Sequence, residues 1–287
     1  MSLSTKAMKA SLYVSSWFPF KKDVAVTKKA HIDFQAMADS GQYNKRLVSK
    51  IGTNPIKKVV NMARTYHYKM TMPWDDGGYR LLPSKLYLDY TQKMRQLKTD
   101  FNVAVAQFIH DYPTLKLTAQ NTLGTMFNQS EYPTINELRC KFNFDVDIIP
   151  VETAGDFRAE LSRQEVDKIK AAIEKKTEER QANAMNDLWN RLYTCVNKMA
   201  EKLNDEDAMF KDSLVGNVIN LCDMLPDMNV TEDGDLAALT EEVRDKLCIV
   251  SAAELRSNKD VRKDIGSAAK SLVDTMDSMS GYMKAVS

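Results

Sequence analysis

The sequence is poor in the residues that build metal sites, disulfide frameworks and catalytic centres. It has only 3 His and 4 Cys among 287 residues. Cys140, Cys195, Cys222 and Cys248 form no Cys-x-x-Cys pair and have no histidine at ligand spacing. The sequence therefore indicates neither a zinc site nor a disulfide framework. We interpret the cysteines as small buried hydrophobes in a reducing compartment.

Long apolar runs are also missing. A membrane-spanning helix needs about 18 or more consecutive apolar residues, and no such stretch occurs. Lys6 and Lys9 precede an apolar segment in the manner of a signal peptide, but Ser15 and Pro19 interrupt that segment early. We therefore expect a cytoplasmic protein with no membrane contact.

Motifs that bind phosphate or activate a nucleophile are absent as well. The sequence has no Gly-x-x-x-x-Gly-Lys, no Gly-x-Gly-x-x-Gly and no Gly-x-Ser-x-Gly. Residues 229–240 imitate a calcium loop, but Thr240 stands where a bidentate glutamate is needed. Asp145 and Asp147 share one face of a predicted strand, which a polar outer face explains without catalysis. We expect no enzyme activity, no cofactor and no metal site.

Charge is unevenly distributed along an otherwise ordinary globular composition of 44% hydrophobic and 28% charged residues. Residues 1–150 hold 21 Lys and Arg against 12 Asp and Glu, a net charge of +9, and residues 151–287 hold 19 against 27, a net charge of −8. We predict a basic region and an acidic region with these bounds, as two domains or one continuous domain. A basic surface attracts nucleic acid and an acidic one suits a protein partner, unless the two regions simply attract each other.

Two segments have the residue alternation of β-strands. They are Leu12 to Phe20, and Phe142 to Ile148 with Pro150 after it. Because one strand alone leaves its backbone groups unpaired, we predict that these segments pair in a small two-stranded β element.

Helical spacing of apolar residues dominates the remainder. In the basic region it predicts helices at 27–50 and 54–69, a helix from 86 that ends at Pro113, and another from there to about 127. Pro55 is assigned to the first turn of its helix, where its missing N–H costs nothing.

The acidic region opens with a capping box at Ser162, and no glycine or proline follows before about Leu203. This predicts one helix of roughly 60 Å. Shorter helices follow, the first ending at Pro226 and the last containing Met283. The predicted fold class is mainly α: an antiparallel helical bundle with one very long helix and a small two-stranded β element.

Basic and aromatic residues are interleaved in the first 70 residues. Lysines on phosphates and aromatic rings on bases are how sequence-tolerant single-strand binders work, although lysines also coat ordinary solvated helices. The interleaving predicts binding of single-stranded or double-stranded DNA through seven residues: Lys45, Arg46, Lys50, Lys57, Lys58, Arg64 and Lys69.

The segment 71–83 joins two predicted helices, and its prolines and paired glycines specify a bent path. It contains residue types common at binding hot spots. We therefore predict a partner site at Trp74, Asp75, Asp76, Tyr79 and Arg80. The alternative is a structural corner with Trp74 in the core and Arg80 paired to a nearby aspartate.

Several short motifs are similar to those of a known family. They are Ala63-Arg64-Thr65-Tyr66-His67-Tyr68, Thr71-Met72-Pro73-Trp74, Gly78, Arg80-Leu81-Leu82-Pro83, Ala154-Gly155-Asp156-Phe157-Arg158, Asp187-Leu188-Trp189 and Phe210-Lys211-Asp212-Ser213-Leu214. With these motifs the chain resembles, over nearly its whole length, the domain-of-unknown-function family 3150 of bacteriophages, plasmids and integrative elements. The resemblance implies a mobile-element protein, sometimes encoded near AAA+ ATPases of the MoxR type and recombination genes. It implies no catalytic residues.

These patterns predict a non-enzymatic phage or mobile-element protein of DNA metabolism in the host cytoplasm. It would bind nucleic acid through its basic half and a protein partner through its acidic helices. The alternative is an interaction scaffold, either an adaptor for a MoxR-type AAA+ ATPase or a self-assembling phage structural protein that forms a homo-oligomer. An enzyme becomes an option only if Asp75, Asp76, Asp145 or Asp147 converge on a metal.

Overall fold

Short strands separate the helices up to residue 150, and the elements that the structure describes after it are helices. The structure is a computed structural model that describes residues 3–156 and 162–286. It is 69% helical with a small sheet, which confirms the prediction of a mainly α protein. Phe157 and Arg158, two residues of the motifs above, lie outside the described residues.

The elements up to residue 150 are α1 (Leu3–Lys6), β1 (Ala7–Ser15), β2 (Phe20–Lys22), α2 (Val24–Asp33), β3 (Asn44–Arg46), α3 (Lys50–Met70), β4 (Met72–Pro73), β5 (Arg80–Pro83), α4 (Tyr87–Leu123), α5 (Ile135–Arg139) and β6 (Asn143–Pro150). Those that follow are α6 (Arg163–Asn204), α7 (Ser213–Met228), α8 (Gly234–Leu247), α9 (Ala252–Ser257) and α10 (Lys259–Val286).

Four strands form one sheet in the order β4-β5-β1-β6, and β2 pairs with β3. β1 and β6, which overlap the two predicted strand segments, are neighbours in this sheet, so their pairing is confirmed. The bounds of the first segment are wrong, since β1 covers 7–15 and Phe20 lies in β2. The sheet has four strands instead of the predicted two because segment 71–83 folds back as a hairpin, with Met72 opposite Leu81. β5 then pairs antiparallel with β1, Ala7 lying opposite Pro83.

Two compact units share the chain. Unit 1 comprises Met1–Ala10, Met70–Leu88 and Ile148–Ser287; unit 2 comprises Ser11–Lys69 and Asp89–Asp147. This division differs from the predicted boundary after residue 150, because unit 1 takes in the amino-terminal residues and the hairpin of β4 and β5. Such a boundary depends on pairing between strands distant in the chain, which local patterns do not reveal.

Each unit has its own apolar core. In unit 1, residues at three-four spacing on α6, such as Leu188 and Leu192, are fully buried, as are Val218 of α7 and Val243 of α8. α6 makes its most extensive contacts with α10. In unit 2 the buried side chains come mainly from α3 and α4, with Leu138 and Phe144 added by α5 and β6. Burial of these stripes is the main favourable term in the stability of each unit.

The predicted helix at 27–50 is wrong, since α2 ends at Asp33 and a strand occupies 44–46. Thr27 is the only buried residue of α2, so no apolar stripe holds a longer helix against a core. Gln35 then takes a left-handed conformation with φ of 50°, which interrupts helical hydrogen bonding.

Three prolines lie inside helices and do not end them. Pro55 is within α3, Pro113 within α4 and Pro226 within α7. The predictions that a helix begins at Pro55 and that helices end at Pro113 and Pro226 are therefore wrong. An interior proline removes one hydrogen bond and crowds the preceding turn, at a cost of about 3 kcal/mol. Buried side chains flank two of them, Tyr112 and Ala119 around Pro113 and Leu225 and Met228 around Pro226, and packing on both sides of each proline offsets this cost.

Candidate nucleic-acid interface

Helix α3 is amphipathic, and its buried face determines which of its side chains are exposed. Thr53, Ile56, Val60, Ala63 and His67 are buried and follow one another at spacings of three and four residues, so they form one stripe. Everything on the opposite side of the helix is therefore exposed.

The exposed side of α3 carries positive charge and no negative charge. Between Asp39 and Asp75 the sequence has no acidic residue at all. Within this acid-free segment α3 contributes five exposed cations: Lys50, Lys57, Lys58, Arg64 and Lys69. All five belong to the predicted nucleic-acid-binding set.

Most of these cations have no intramolecular counter-charge. Among the described residues, no carboxylate forms an ion pair with Lys50, Lys57, Lys58 or Arg64. Their charge is thus exposed to an external anion, screened only by solvent and salt.

An open groove of about 1220 Å³ runs between α3 and α4 in unit 2. We call it the α3–α4 groove. Its cations are Lys57, Lys58 and Lys69 on α3 and Lys93 on α4. The structure thus brings three of the predicted residues together and adds a fourth cation that sequence reasoning missed. The absence of acidic residues from 40 to 74 could be used to predict the basic surface of α3. No local sequence pattern predicts that Lys93 joins it.

Apolar side chains line the α3–α4 groove between these cations. Ile51, Pro55 and Met62 come from α3, and Leu97 comes from α4. Ile51 is 83% exposed and Met62 is 44% exposed, so these two side chains are accessible, whereas Leu97 is buried at the floor of the groove. The groove therefore combines positive charge with apolar surface.

Tyr66 lines the same groove and is held in place on two sides. Its hydroxyl donates to the carbonyl of Asp89 (3.2 Å), and its ring lies nearly parallel to that of Tyr90, with centroids 6.3 Å apart. Burial, assisted by the negative charge of Asp89, raises the pKa of Tyr66. Tyr90 in turn contacts His67 (2.8 Å between Oη and Nδ1). The ring of Tyr66 is thus a fixed, neutral aromatic surface in the groove.

Lys45 and Arg46, the first two predicted binding residues, are placed differently. Lys45 is buried, 4% exposed, and forms ion pairs with Asp23 (3.3 Å) and Glu131 (2.9 Å). The guanidinium of Arg46 lies over the ring of Phe20 at 4.2 Å from its centroid. Neither residue lines the α3–α4 groove, so the candidate interface does not include them.

The charges around Lys45 support one another. Burial acts to lower the pKa of Lys45, but hydrogen bonds to Glu131 and Asp23 outweigh it, so the pKa is raised. The backbone N–H of Val26, together with Lys45, holds the pKa of Asp23 below its ordinary value despite burial. Lys45 is therefore a structural cation.

The predicted partner site at 71–83 is the hairpin of β4 and β5. Its turn is closed by Asp75, whose side chain accepts from the backbone N–H of Tyr79 (3.1 Å). Gly78 has a φ of 88°, a conformation that favours glycine. Asp76 is exposed. The turn is thus locally specified by Asp75 and Gly78.

Trp74 is buried and 6% exposed, as the structural-corner alternative has it. Its indole N–H has no hydrogen-bond acceptor among the described residues, and the guanidinium of Arg180 lies 6.0 Å from its ring. Arg80 donates from Nε to the hydroxyl of Thr71 (2.8 Å) and from Nη2 to its carbonyl (3.1 Å). Trp74 and Arg80 therefore anchor the hairpin within unit 1.

The cysteines do not all fit the interpretation as buried hydrophobes. Cys222 is buried, Cys195 and Cys248 are half-buried, and Cys140 is exposed. Cys222 donates its S–H to Cys248, which lowers the pKa of the Cys248 thiol despite burial. The same hydrogen bond, with burial, raises the pKa of Cys222.

Acidic side chains provide no metal centre in the part of the chain that the structure describes. No group of three or more His, Cys, Asp or Glu there is placed to hold a metal ion. Asp145 is exposed and lies 3.4 Å from the ammonium of Lys98. In the same residues, no helix combines the length and apolar character needed to cross a membrane.

Comparison with known proteins provides no relative. No family model matches the chain, and neither a curated protein nor a solved structure is significantly similar to it. The geometry of the α3–α4 groove is therefore the basis for a functional proposal.

Proposed function

We propose that this protein binds nucleic acid through the exposed cations of α3, with Lys93 of α4 added on the facing wall of the groove. The observation that carries the proposal is an open groove bordered by a helix with five exposed cations and no acidic residue. Phosphate backbones bind such surfaces because each neutralised phosphate releases counterions.

The charge of the whole unit supports this proposal. Unit 2 holds 17 Lys and Arg against 10 Asp and Glu, a net charge of +7, whereas unit 1 holds 23 against 29, a net charge of −6. A net positive unit raises the local concentration of a polyanion and speeds its association. Unit 1 repels nucleic acid, and we propose that it contacts a protein partner.

Charge reversal tests the proposal. The variant Lys57→Glu/Lys58→Glu/Arg64→Glu changes only exposed side chains, so we expect it to fold. Binding of a fluorescein-labelled oligodeoxynucleotide, followed by fluorescence anisotropy at 50 mM salt, should weaken at least about 100-fold, because three phosphate contacts become repulsive.

A matched control is available on the other unit. Lys175→Glu/Lys176→Glu/Lys263→Glu makes the same change in net charge at exposed positions. Of the ion pairs among residues 3–156 and 162–286, it loses the exposed one of Lys175 with Glu179, at 3.9 Å, which contributes little. Near-wild-type binding by the control supports a located interface. Absence of binding by the wild-type protein at low salt would refute the proposal.

We propose a non-enzymatic protein of a phage or another mobile element, acting in DNA metabolism in the host cytoplasm. The family-like motifs, including Arg80-Leu81-Leu82-Pro83, support that setting by resemblance. Identification of the genes that flank this one tests it.

An interaction scaffold is the second candidate, and one feature of α6 favours it. No residue from 163 to 183 is buried, although Val166, Ile169 and Ile173 follow helical spacing and are half-buried. A half-exposed apolar stripe on a helix suits helix-to-helix association. In this alternative we propose that α6, α7, α8 and α10 form an antiparallel bundle. The protein then either forms a homo-oligomer or acts as an adaptor for a MoxR-type AAA+ ATPase.

Light scattering separates the two candidates. The scaffold predicts a stable oligomer, and a pull-down that recovers a protein partner after nuclease treatment. A monomer that recovers only nucleic acid would count against it.

A further inference from the structure

Resting on the proposed function, we infer that the α3–α4 groove is a site for single-stranded nucleic acid, with Tyr66 as the aromatic surface on which a base stacks. The lysines then contact the phosphates, and the exposed side chains of Ile51 and Met62 accept the unstacked bases. This goes beyond charge attraction, because it assigns separate parts of one groove to the two parts of a nucleotide.

The lining of the groove favours a single strand over a duplex. A duplex keeps its bases stacked and paired inside, so it presents mainly phosphates to a non-specific surface. Ile51, 83% exposed, and Met62, 44% exposed, gain nothing from phosphates. An unpaired strand also offers base faces, which are apolar enough to cover these side chains.

Tyr66 has the properties of a stacking platform. Its hydroxyl bond to the Asp89 carbonyl and its parallel contact with Tyr90 fix the ring before any ligand binds. A ring that is already ordered loses little conformational entropy on binding. Asp89 places negative charge near this ring, so we expect the phosphates to lie towards Lys57 and Lys58 on α3.

The length of α3 limits the site. From Ile51 to Lys69 the helix rises about 27 Å at ~1.5 Å per residue. At ~3.4 Å per stacked nucleotide, a strand of at most about eight nucleotides covers this distance. This length lies within the range of known single-strand sites.

The test compares a fluorescein-labelled oligomer of 12 deoxythymidines with a hairpin DNA whose stem has 12 base pairs, both at 50 mM salt. We expect the single strand to bind at least about fivefold more tightly than the duplex, the effect of one base on an aromatic ring. Tyr66→Leu should lose that advantage, and Tyr66→Phe should keep it because the ring remains.

Ile51→Ser provides a second variant that does not depend on correct folding of a Tyr66 mutant, because Ile51 is almost fully exposed. It should weaken binding of the single strand about threefold and leave duplex binding unchanged. Unlabelled poly-glutamate of matched charge serves as the competitor, and should displace the single strand poorly.

Two results together would overturn the inference: equal affinities for the single strand and the duplex, and no change in affinity in Tyr66→Leu and Ile51→Ser. The proposed function would then still hold. Efficient displacement by poly-glutamate would also overturn the inference, since the groove would then read charge alone or bind an acidic protein segment. Failure of the wild-type protein to bind either DNA would overturn the proposed function itself.

Discussion

Replacement of Lys45 by methionine should separate structural from binding cations in unit 2. The side chains of Lys45, Asp23 and Glu131 are 5%, 11% and 15% exposed. Methionine fills similar space without charge, so two carboxylates remain close together without a counter-charge. Removing one member of a buried ion pair costs about 3–5 kcal/mol.

The size of unit 2 converts this cost into a melting temperature. It has 118 residues, 59 in each of its two segments, so its unfolding entropy is about 0.25 kcal/mol/K. If unit 2 unfolds as one cooperative unit, Lys45→Met should lower its Tm by about 12 to 20 °C. Scanning calorimetry measures this shift.

The destabilisation should shrink in acid. Because the pKa of Asp23 is lowered in the folded protein, its ionised form contributes stability that is present above about pH 4. The wild-type protein loses that contribution as the pH falls through the folded pKa. Lys45→Met lacks the part that Lys45 supplies, so the difference between the two proteins should decrease below about pH 4.

The exposed Lys58→Met is the matched comparison for Lys45→Met. It should leave the Tm within about 2 °C of wild type and weaken oligonucleotide binding several-fold, whereas folded Lys45→Met should bind normally. A Tm loss below about 4 °C for Lys45→Met, or a binding loss equal to that of Lys58→Met, would refute this reasoning.

Three further substitutions test other parts of the structure. Lys93→Gln should reduce the slope of log Kd against log salt by about 0.7, and an unchanged slope would exclude Lys93 from the interface. Trp74→Phe should lower the free energy of unfolding by less than about 1 kcal/mol, because the buried N–H of Trp74 has no acceptor among the described residues. Trp189→Phe should lower it by about 1–2 kcal/mol, because the N–H of Trp189 donates to a carboxylate at 3.1 Å. Chemical denaturation measures both values, and the reverse order would contradict these hydrogen-bond assignments. Gly78→Ala should lower the free energy of unfolding by about 1 kcal/mol, because Gly78 has a φ of 88°. Gly41→Ala, with open space around it, should change this free energy by less than about 0.5 kcal/mol. Equal effects would argue against the turn geometry at Gly78.

The helices could be predicted wherever a long apolar stripe determines them. The spacing that includes Leu188 and Leu192 indicated α6, and the structure confirms a mainly α protein. Helix ends were less predictable. A proline such as Pro113 is a strong local stop signal, yet burial of Phe108, Tyr112 and Ala119 on both sides of it holds one helix together.

The candidate site was predictable on one helix only. The exposed cations of α3 follow from a run with no acidic residue, but their partner Lys93 comes from α4, and the meeting of two helices is a tertiary fact. Lys45 was predicted to bind nucleic acid but is not exposed. It is buried although it stands next to Arg46, because strand β3 pairs with β2 and directs it towards Asp23 and Glu131. No local pattern distinguishes it from an exposed lysine.

The salt dependence of single-strand binding tests the central claim most directly. If five of the six cations at Lys50, Lys57, Lys58, Arg64, Lys69 and Lys93 contact phosphates, log Kd should rise with log salt with a slope of about 3.5. Affinity for the 12-nucleotide strand should then fall about 100-fold between 50 and 200 mM salt. A slope near zero, or no binding at 50 mM salt, would contradict the account.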